Sequence, residues 1–293
     1  MVFILLSILS ATSIFFVFRY ISKLKIPSLP VIVINYSIAS TIGFLVGGEK
    51  LAFNKFYNSD WFLLAFIIGI LFILLFFLLG KSTQASGMSI TTVASKMSVV
   101  IPISFSLLKD PSDQPGLLKF AGILIALVAV YLTIYQRDSL QTKRAKIGYP
   151  ILLFIGMGFV DSLVKYSQYK YVNNEESGYF SAMLFLISFL TGLVILIFRK
   201  NEWTGLKDAR VIVLGIVLGI VNFGSIYFLI RALNFKNVNG IGIDSSIVFG
   251  INNSTIVLLS VLAGMLIFRE KLSGINKIGI SLSILAIIIF SIA

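Results

Sequence analysis

Long runs of apolar residues, separated by short polar segments, recur along the whole chain. Each run has about the 20 residues that an α-helix needs to cross the ~30 Å hydrocarbon core of a bilayer. We therefore predict an all-α integral membrane protein with ten transmembrane helices and short connections. The expected spans are residues 1–18, 30–48, 61–80, 86–108, 116–135, 147–168, 178–198, 210–230, 241–268 and 274–292.

The composition agrees with a membrane protein and excludes several kinds of site. Hydrophobic residues make up 58% of the chain and charged residues 12%, whereas soluble domains carry about 25% charge. Cysteine and histidine are absent, which excludes disulfides, thiolate chemistry and the common zinc sites. We expect no catalytic residues, no metal and no cofactor. The N-terminal run lacks the basic segment of a signal peptide, so we interpret it as the first span.

The two sides of a polar linker at 136–146 match each other, first at an offset of about 146 residues and later at 157. Residues 1–135 and 147–293 would then be two copies of one five-helix repeat. Because five is an odd number, the second copy must cross the membrane in the opposite orientation, as in many secondary transporters. The matching positions include Arg19 with Lys165, Gly69 with Gly215, Asp113 with Glu270 and Gly122 with Gly279.

Two stretches resemble the paired EamA-type domains of the drug/metabolite transporter superfamily. They are Gly80 to Asp113 with the following GLLKFAGILIALVAV, and Arg231-Ala232-Leu233 through Phe268-Arg269-Glu270-Lys271-Leu272-Ser273 with INKIGISLSILA. In both halves an acidic residue precedes a glycine by nine positions at the start of the last span. The first half departs from the family pattern, with Lys109-Asp110-Pro111-Ser112-Asp113 where a Gly-Glu pair is usual, and Lys96 is not a general family feature. The resemblance implies a ten-helix transporter of inverted repeats.

The net charge of +12 reflects basic residues placed in short runs between the apolar segments. This placement is typical of topology signals and of contact with anionic lipid headgroups, and we expect no nucleic acid partner. Of the 24 basic residues, 15 belong to the odd-numbered loops and 7 to the even-numbered loops. The positive-inside rule puts both termini outside the cell. The family resemblance implies the reverse, and both orientations stay open.

A lysine and a proline lie inside the fourth predicted span. Lys96 is about 15 Å from either end of that span, where a charge is costly unless it faces a polar cavity or a carboxylate. Pro102 lacks an amide hydrogen, so the Ser98 carbonyl should lose its helical partner and become available. The corresponding part of the second half contains Asn252 and Asn253, and we expect an interrupted helix there too. The alternatives are a packing kink and a lysine paired for packing alone.

Two carboxylates are candidate partners of Lys96. Asp161 lies in the sixth span, four residues before Lys165 and on the same helical face; an interfacial ion pair between these two is the alternative. Asp244 begins the ninth span, where it could instead cap the helix. Polar side chains that could complete the site are those of Gln84 and Tyr227, together with Tyr36, Tyr131 and Asn222, each of which could equally make helix–helix contacts.

These features favour a secondary transporter, and more specifically an exporter, of small organic metabolites in the cell membrane. Lys96 would hold an anionic group, and Asp161 or Asp244 would hold an amine or carry a coupling proton. No ATP-binding motif is found, and we expect no enzyme activity. The alternatives are a flippase for lipid or lipid-linked sugar, a membrane-embedded lipid-modifying enzyme, and a scaffold. Expected partners are a small metabolite, the lipid bilayer and protons as the candidate coupling ion, with a monomer or a homodimer as the assembly.

Overall fold

A computed structural model describes residues 2–47, 56–109, 116–135, 140–172, 177–233 and 245–292. Within these ranges the regular structure is helical, which confirms the all-α part of the prediction. A 3₁₀-helix, Lys200–Lys207, precedes the α-helix that begins at Ala209. The α-helices are α1 (Val2–Leu24), α2 (Ser28–Gly47), α3 (Phe62–Ser86), α4 (Met88–Met97), α5 (Val100–Lys109), α6 (Leu117–Ile134), α7 (Leu140–Lys170), α8 (Ser177–Phe198), α9 (Ala209–Leu233), α10 (Ser245–Leu266) and α11 (Gly274–Ile292).

The helices have the length and exposure of membrane spans. Within the described ranges, nine are long and apolar enough to cross a bilayer, and α4 with α5 forms a shorter apolar segment, Met88–Ser104. Large apolar side chains point outward, and Leu117 and Phe198 are 88% and 84% exposed. Apolar residues facing outward on every side are expected where the surrounding solvent is lipid. The chain is therefore a multi-pass membrane protein.

The fourth predicted span is broken between α4 and α5, at Ser98 and Val99. Pro102 lies in the first turn of α5, where its missing N–H costs no helical hydrogen bond. The break confirms the effect expected of the proline. The expectation of a free Ser98 carbonyl is wrong, because the Ile101 N–H donates to it at 2.9 Å and closes a short turn.

The predicted interruption in the second half is also wrong. Helix α10 runs without a break through Gly250, Asn252 and Asn253. No proline removes an amide hydrogen there, and the Ser254 hydroxyl donates to the Gly250 carbonyl at 2.6 Å, which is compatible with a continuous helix. Weak helix formers alone do not break a helix that its neighbours hold in place.

Close contacts at glycines define how the two halves meet. A β-carbon at Gly122 in α6 would lie 2.8 Å from the Phe290 ring in α11, and one at Gly279 in α11 would lie 2.8 Å from the Ala129 carbonyl, close to Thr133, in α6. The start of each helix thus touches the end of the other, so α6 and α11 are antiparallel. Helices α2 and α8 are antiparallel too, because Gly43 meets Ala182 while Gly192 meets Val33.

Helices that cross in alternating directions give the molecule two faces. We call the first face the one where α1 begins at Val2, and the second face the one where α1 ends at Leu24. Arg19, near the end of α1, contacts the end of α3 and the residues after α10, so those ends also lie at the second face. The side chain of Asn276, at the start of α11, donates to carbonyls at the end of α6 on that same face.

Candidate functional site

The structure brings Lys96 together with Asp161 across the seam between α4 and α7. The Lys96 ammonium and the Asp161 carboxylate interact electrostatically, but the part of the chain that is described contains no direct ion pair between them. The hydroxyl of Ser98, which donates to the Ser95 carbonyl at 2.6 Å, lies beside the same carboxylate. The predicted partnership of Lys96 with a carboxylate is thus found with Asp161. We call Lys96, Ser98 and Asp161 the interior charged cluster.

The side of α7 that carries Asp161 faces protein rather than lipid. Leu153 and Val160 form its buried stripe, and a β-carbon at Gly158 would lie 2.8 Å from the Ser98 carbonyl oxygen. With about 100° between successive residues, Asp161 lies between the directions of Val160 and Gly158. The lipid-facing side carries other residues, such as Phe159, which is 53% exposed.

Asp161 is nevertheless exposed, and Lys96 is half-buried. An exposed carboxylate at membrane depth needs a water-filled space or a second charge beside it. Charges inside a membrane protein are stabilised by such spaces or by each other. The Lys96 ammonium is the second charge beside the Asp161 carboxylate.

Helix α10, which packs against α4, carries the two asparagines that were predicted for the site. Asn252 is 3% exposed, and its Oδ1 atom has no hydrogen-bond partner. Asn253 is half-buried. A buried amide oxygen without a donor is costly, so Asn252 is suited to accept a hydrogen bond from water or a solute.

The other predicted site residues are not joined to this cluster by any hydrogen bond or ion pair between described residues. Gln84 is exposed near the second-face end of α3. The Tyr227 hydroxyl in α9 accepts a hydrogen bond from Arg231 Nε at 3.1 Å, and its ring stacks on Phe223. Asp244 lies outside the described residues.

Sequence reasoning missed a second polar cluster, which lies at the second face. Arg19 Nε lies 3.1 Å from Glu270 Oε1, and only 6% of the Glu270 side chain is exposed. The Glu270 carboxylate also accepts hydrogen bonds from the Met88 N–H at 2.6 Å, the Ser89 N–H at 3.1 Å and the Ser89 hydroxyl at 2.7 Å. Arg19 further donates to the Thr83 carbonyl at 3.5 Å. We call Arg19, Glu270 and the start of α4 the second-face cluster.

Local backbone geometry explains why Glu270 reaches α4. Arg269, just after α10, has a φ of 54°, a left-handed conformation that turns the chain back after the helix. Gly87 has a φ of 91° and a ψ of 168°, a region essentially restricted to glycine. A β-carbon at Gly87 would lie 2.7 Å from Glu270 Oε1. A carboxylate also suits this place because the first amides of a helix favour negative charge.

The sequence signal for this cluster was incomplete. Glu270 stood out as the repeat counterpart of Asp113, and Arg19 as the counterpart of Lys165. Neither pairing indicates that the two side chains meet. Their contact depends on how the two halves pack, because Glu270 and Met88 are 182 residues apart.

Comparisons with known proteins bear on the fold. No family model matches the chain. An uncharacterized protein of Haemophilus influenzae is 27% identical over 238 residues, covering 78% of this chain and 74% of its own. A protein crystal structure is similar with a TM-score of 0.55 and 14% sequence identity, covering 97% of both chains. The chain therefore has, along nearly its whole length, a fold that has also been observed by crystallography.

Proposed function

We propose that this protein is a secondary transporter of small organic metabolites in the cell membrane, of the drug/metabolite transporter type. The observation that carries the proposal is the interior charged cluster. Lys96, Ser98 and Asp161 lie beside a helix break, on a side of α7 that faces protein and is still accessible. In this proposal Lys96 holds an anionic group of the solute, and Asp161 holds an amine or a coupling proton.

The glycine contacts support two inverted five-helix repeats. Gly122 with Phe290 and Gly279 with Thr133 are the same contact made twice, since each member of one pair is 157 positions from its counterpart in the other. Two pairs of helices that the duplication makes equivalent, α2 with α8 and α6 with α11, are antiparallel. Inverted repeats that can rock against each other provide a mechanism of alternating access.

The lipid-facing side of α7 favours a solute from water over a lipid. Leu152, Ile155 and Phe159 present apolar side chains outward, whereas Asp161 lies on the opposite side of the helix. A flippase needs a polar path that is open to the bilayer, and this side of α7 offers none. The proposal therefore has a soluble solute entering from an aqueous face.

Ligand-dependent thermal stability tests the site. Amino acids, nucleosides and organic cations are screened against purified protein and against Lys96→Ala. Lys81→Ala is the matched control, because Lys81 contacts the Phe77 ring near the end of α3 rather than the cluster. We expect Lys96→Ala to abolish a ligand-induced shift that Lys81→Ala retains. Shifts that survive unchanged in Lys96→Ala would refute this site.

Uptake into proteoliposomes tests transport and its coupling. We expect accumulation of the ligand found in the screen to depend on a pH gradient, and Asp161→Asn to remove that dependence. Uptake that ignores the gradient and is unchanged in Asp161→Asn would exclude proton coupling through this residue. An absence of any uptake, for a ligand that binds, would contradict the transport function itself.

A further inference from the structure

The second-face cluster joins segments from both halves of the molecule at one end of the proposed transport path. We propose that the contact of Arg19 and Glu270 with the start of α4 is a latch that closes the second face, so that the structure shows the conformation open toward the first face. This inference rests on the proposed transport function. It assigns a conformational role to residues that do not touch the interior charged cluster.

The latch and the proposed binding site lie on one helix. Glu270, from the second half, holds the amides of Met88 and Ser89 at the start of α4. Lys96 lies eight residues further along α4, about 12 Å deeper in the membrane. A change at the latch therefore moves the helix that carries the proposed solute contact. This arrangement couples closure of the second face to the geometry of the site.

Accessibility differs on the two sides of the interior charged cluster. On the second-face side, Ser89, Thr91 and Thr92 of α4 are fully buried beneath the latch. Asp161 of the cluster itself is exposed, and so is Lys165, which lies four residues further along α7 toward the first face. The proposal therefore has water reaching the cluster from the first face, while the second-face cluster lies across the other route.

The chemistry of the latch suits a contact that opens and closes. Arg19 keeps 24% of its side chain exposed, whereas Glu270 keeps only 6%. When such a pair separates into an aqueous opening, hydration replaces the lost hydrogen bonds and offsets most of their energy. Two states of similar free energy are what alternating access requires. The seams of α2 with α8 and α6 with α11 are packed closely at glycines and suit contacts that stay closed.

Cysteine labelling tests the latch directly, because the natural chain contains no cysteine. Thr91→Cys places a reporter beneath the latch, and a water-soluble maleimide is applied to purified protein in detergent, where it reaches both faces. We expect slow labelling of this reporter alone and labelling about tenfold faster after Glu270→Gln, which keeps the side-chain shape and removes the charge. Glu202→Gln is the matched control, since Glu202 pairs with Arg199 at 3.1 Å on the same face but outside the cluster.

A second variant covers the case in which Glu270→Gln fails to fold, as judged by gel filtration. Arg19→Gln removes the ion pair and leaves Glu270 free to bind the amides of Met88 and Ser89, and we expect it also to accelerate labelling several-fold. Labelling that stays within about twofold of the Thr91→Cys parent in a folded variant overturns the latch. Labelling needs no solute, so this failure is distinct from a failure of transport, which shows as an absence of uptake by the unsubstituted protein.

Discussion

Replacing Gly87 by alanine tests whether the second-face cluster has the geometry described here. Glycine alone adopts the observed φ of 91° and ψ of 168° readily, and holding another residue there costs of order 1–3 kcal/mol. The new β-carbon would also lie 2.7 Å from Glu270 Oε1 and 2.9 Å from its carboxyl carbon. Moving the carboxylate away sacrifices at least one hydrogen bond to a charged group, worth roughly 1.5–3 kcal/mol. We expect Gly87→Ala to lower the free energy of unfolding by about 3–5 kcal/mol.

Unfolding in mixed micelles of increasing SDS content, followed by circular dichroism, measures this loss. Gly274→Ala is the control, because a β-carbon there meets nothing within 4 Å; we expect a change within about 1 kcal/mol, in the stabilising direction. The double variant Gly87→Ala/Glu270→Gln should lose less than the sum of the single losses, since both act on the same contact. If Gly87→Ala were as stable as Gly274→Ala, the described approach of Glu270 to α4 would be wrong.

Three further substitutions test other parts of the structure, the first two in the same unfolding assay and the third by its melting temperature. Asn276→Ala removes the side chain that donates to three carbonyls at the end of α6 and should cost about 2–4 kcal/mol; a loss below 1 kcal/mol would contradict those contacts. Asn222→Ala removes the donor to Asn35 Oδ1 and should cost about 0.5–2 kcal/mol, as is usual between membrane helices. Hydrogen bonds from Arg210 lower the pKa of Asp208 at the start of α9, so its charge stabilises the protein at neutral pH and ceases to do so as pH falls through that lowered pKa. Asp208→Ala should therefore reduce the melting temperature at pH 7, and the reduction should shrink as pH falls through the lowered pKa; an equal reduction at every pH would exclude a charge effect.

Hydropathy predicted the spans well because the membrane imposes their length and composition. The tenth predicted span, 274–292, coincides with α11, and the third, 61–80, begins one residue before α3. The helix end at Ser86 was missed because the last turn of α3 is polar, with Lys81 and Gln84, and still helical. The break near Pro102 was predictable because the proline ring acts on its own backbone.

Contacts between the two halves could not be predicted from local sequence patterns. Nothing near Glu270 in the sequence indicates that its carboxylate binds the start of α4, since the relevant amides belong to the other half. The expected break near Asn252 failed for a related reason: its neighbours, not its own helix propensity, decide the local backbone. The interaction of Lys96 with Asp161 was predicted only as one of two possibilities, and it depends on the packing of α4 against α7.

The interruption between α4 and α5 divides one membrane crossing into two short helices that are held by different contacts. The piece before Ser98 is tied at its beginning by a carboxylate from the other half. The piece after Val99 is linked to it by a turn in which the Ile101 N–H donates to the Ser98 carbonyl and the Ile103 N–H donates to the Val99 carbonyl. A break of this kind lets α4 and α5 change their relative angle at Ser98 and Val99 without either helix unwinding. Lys96 lies two residues before this turn. A small rotation of α4 relative to α5 would therefore change the distance between its ammonium and the side chains of α5.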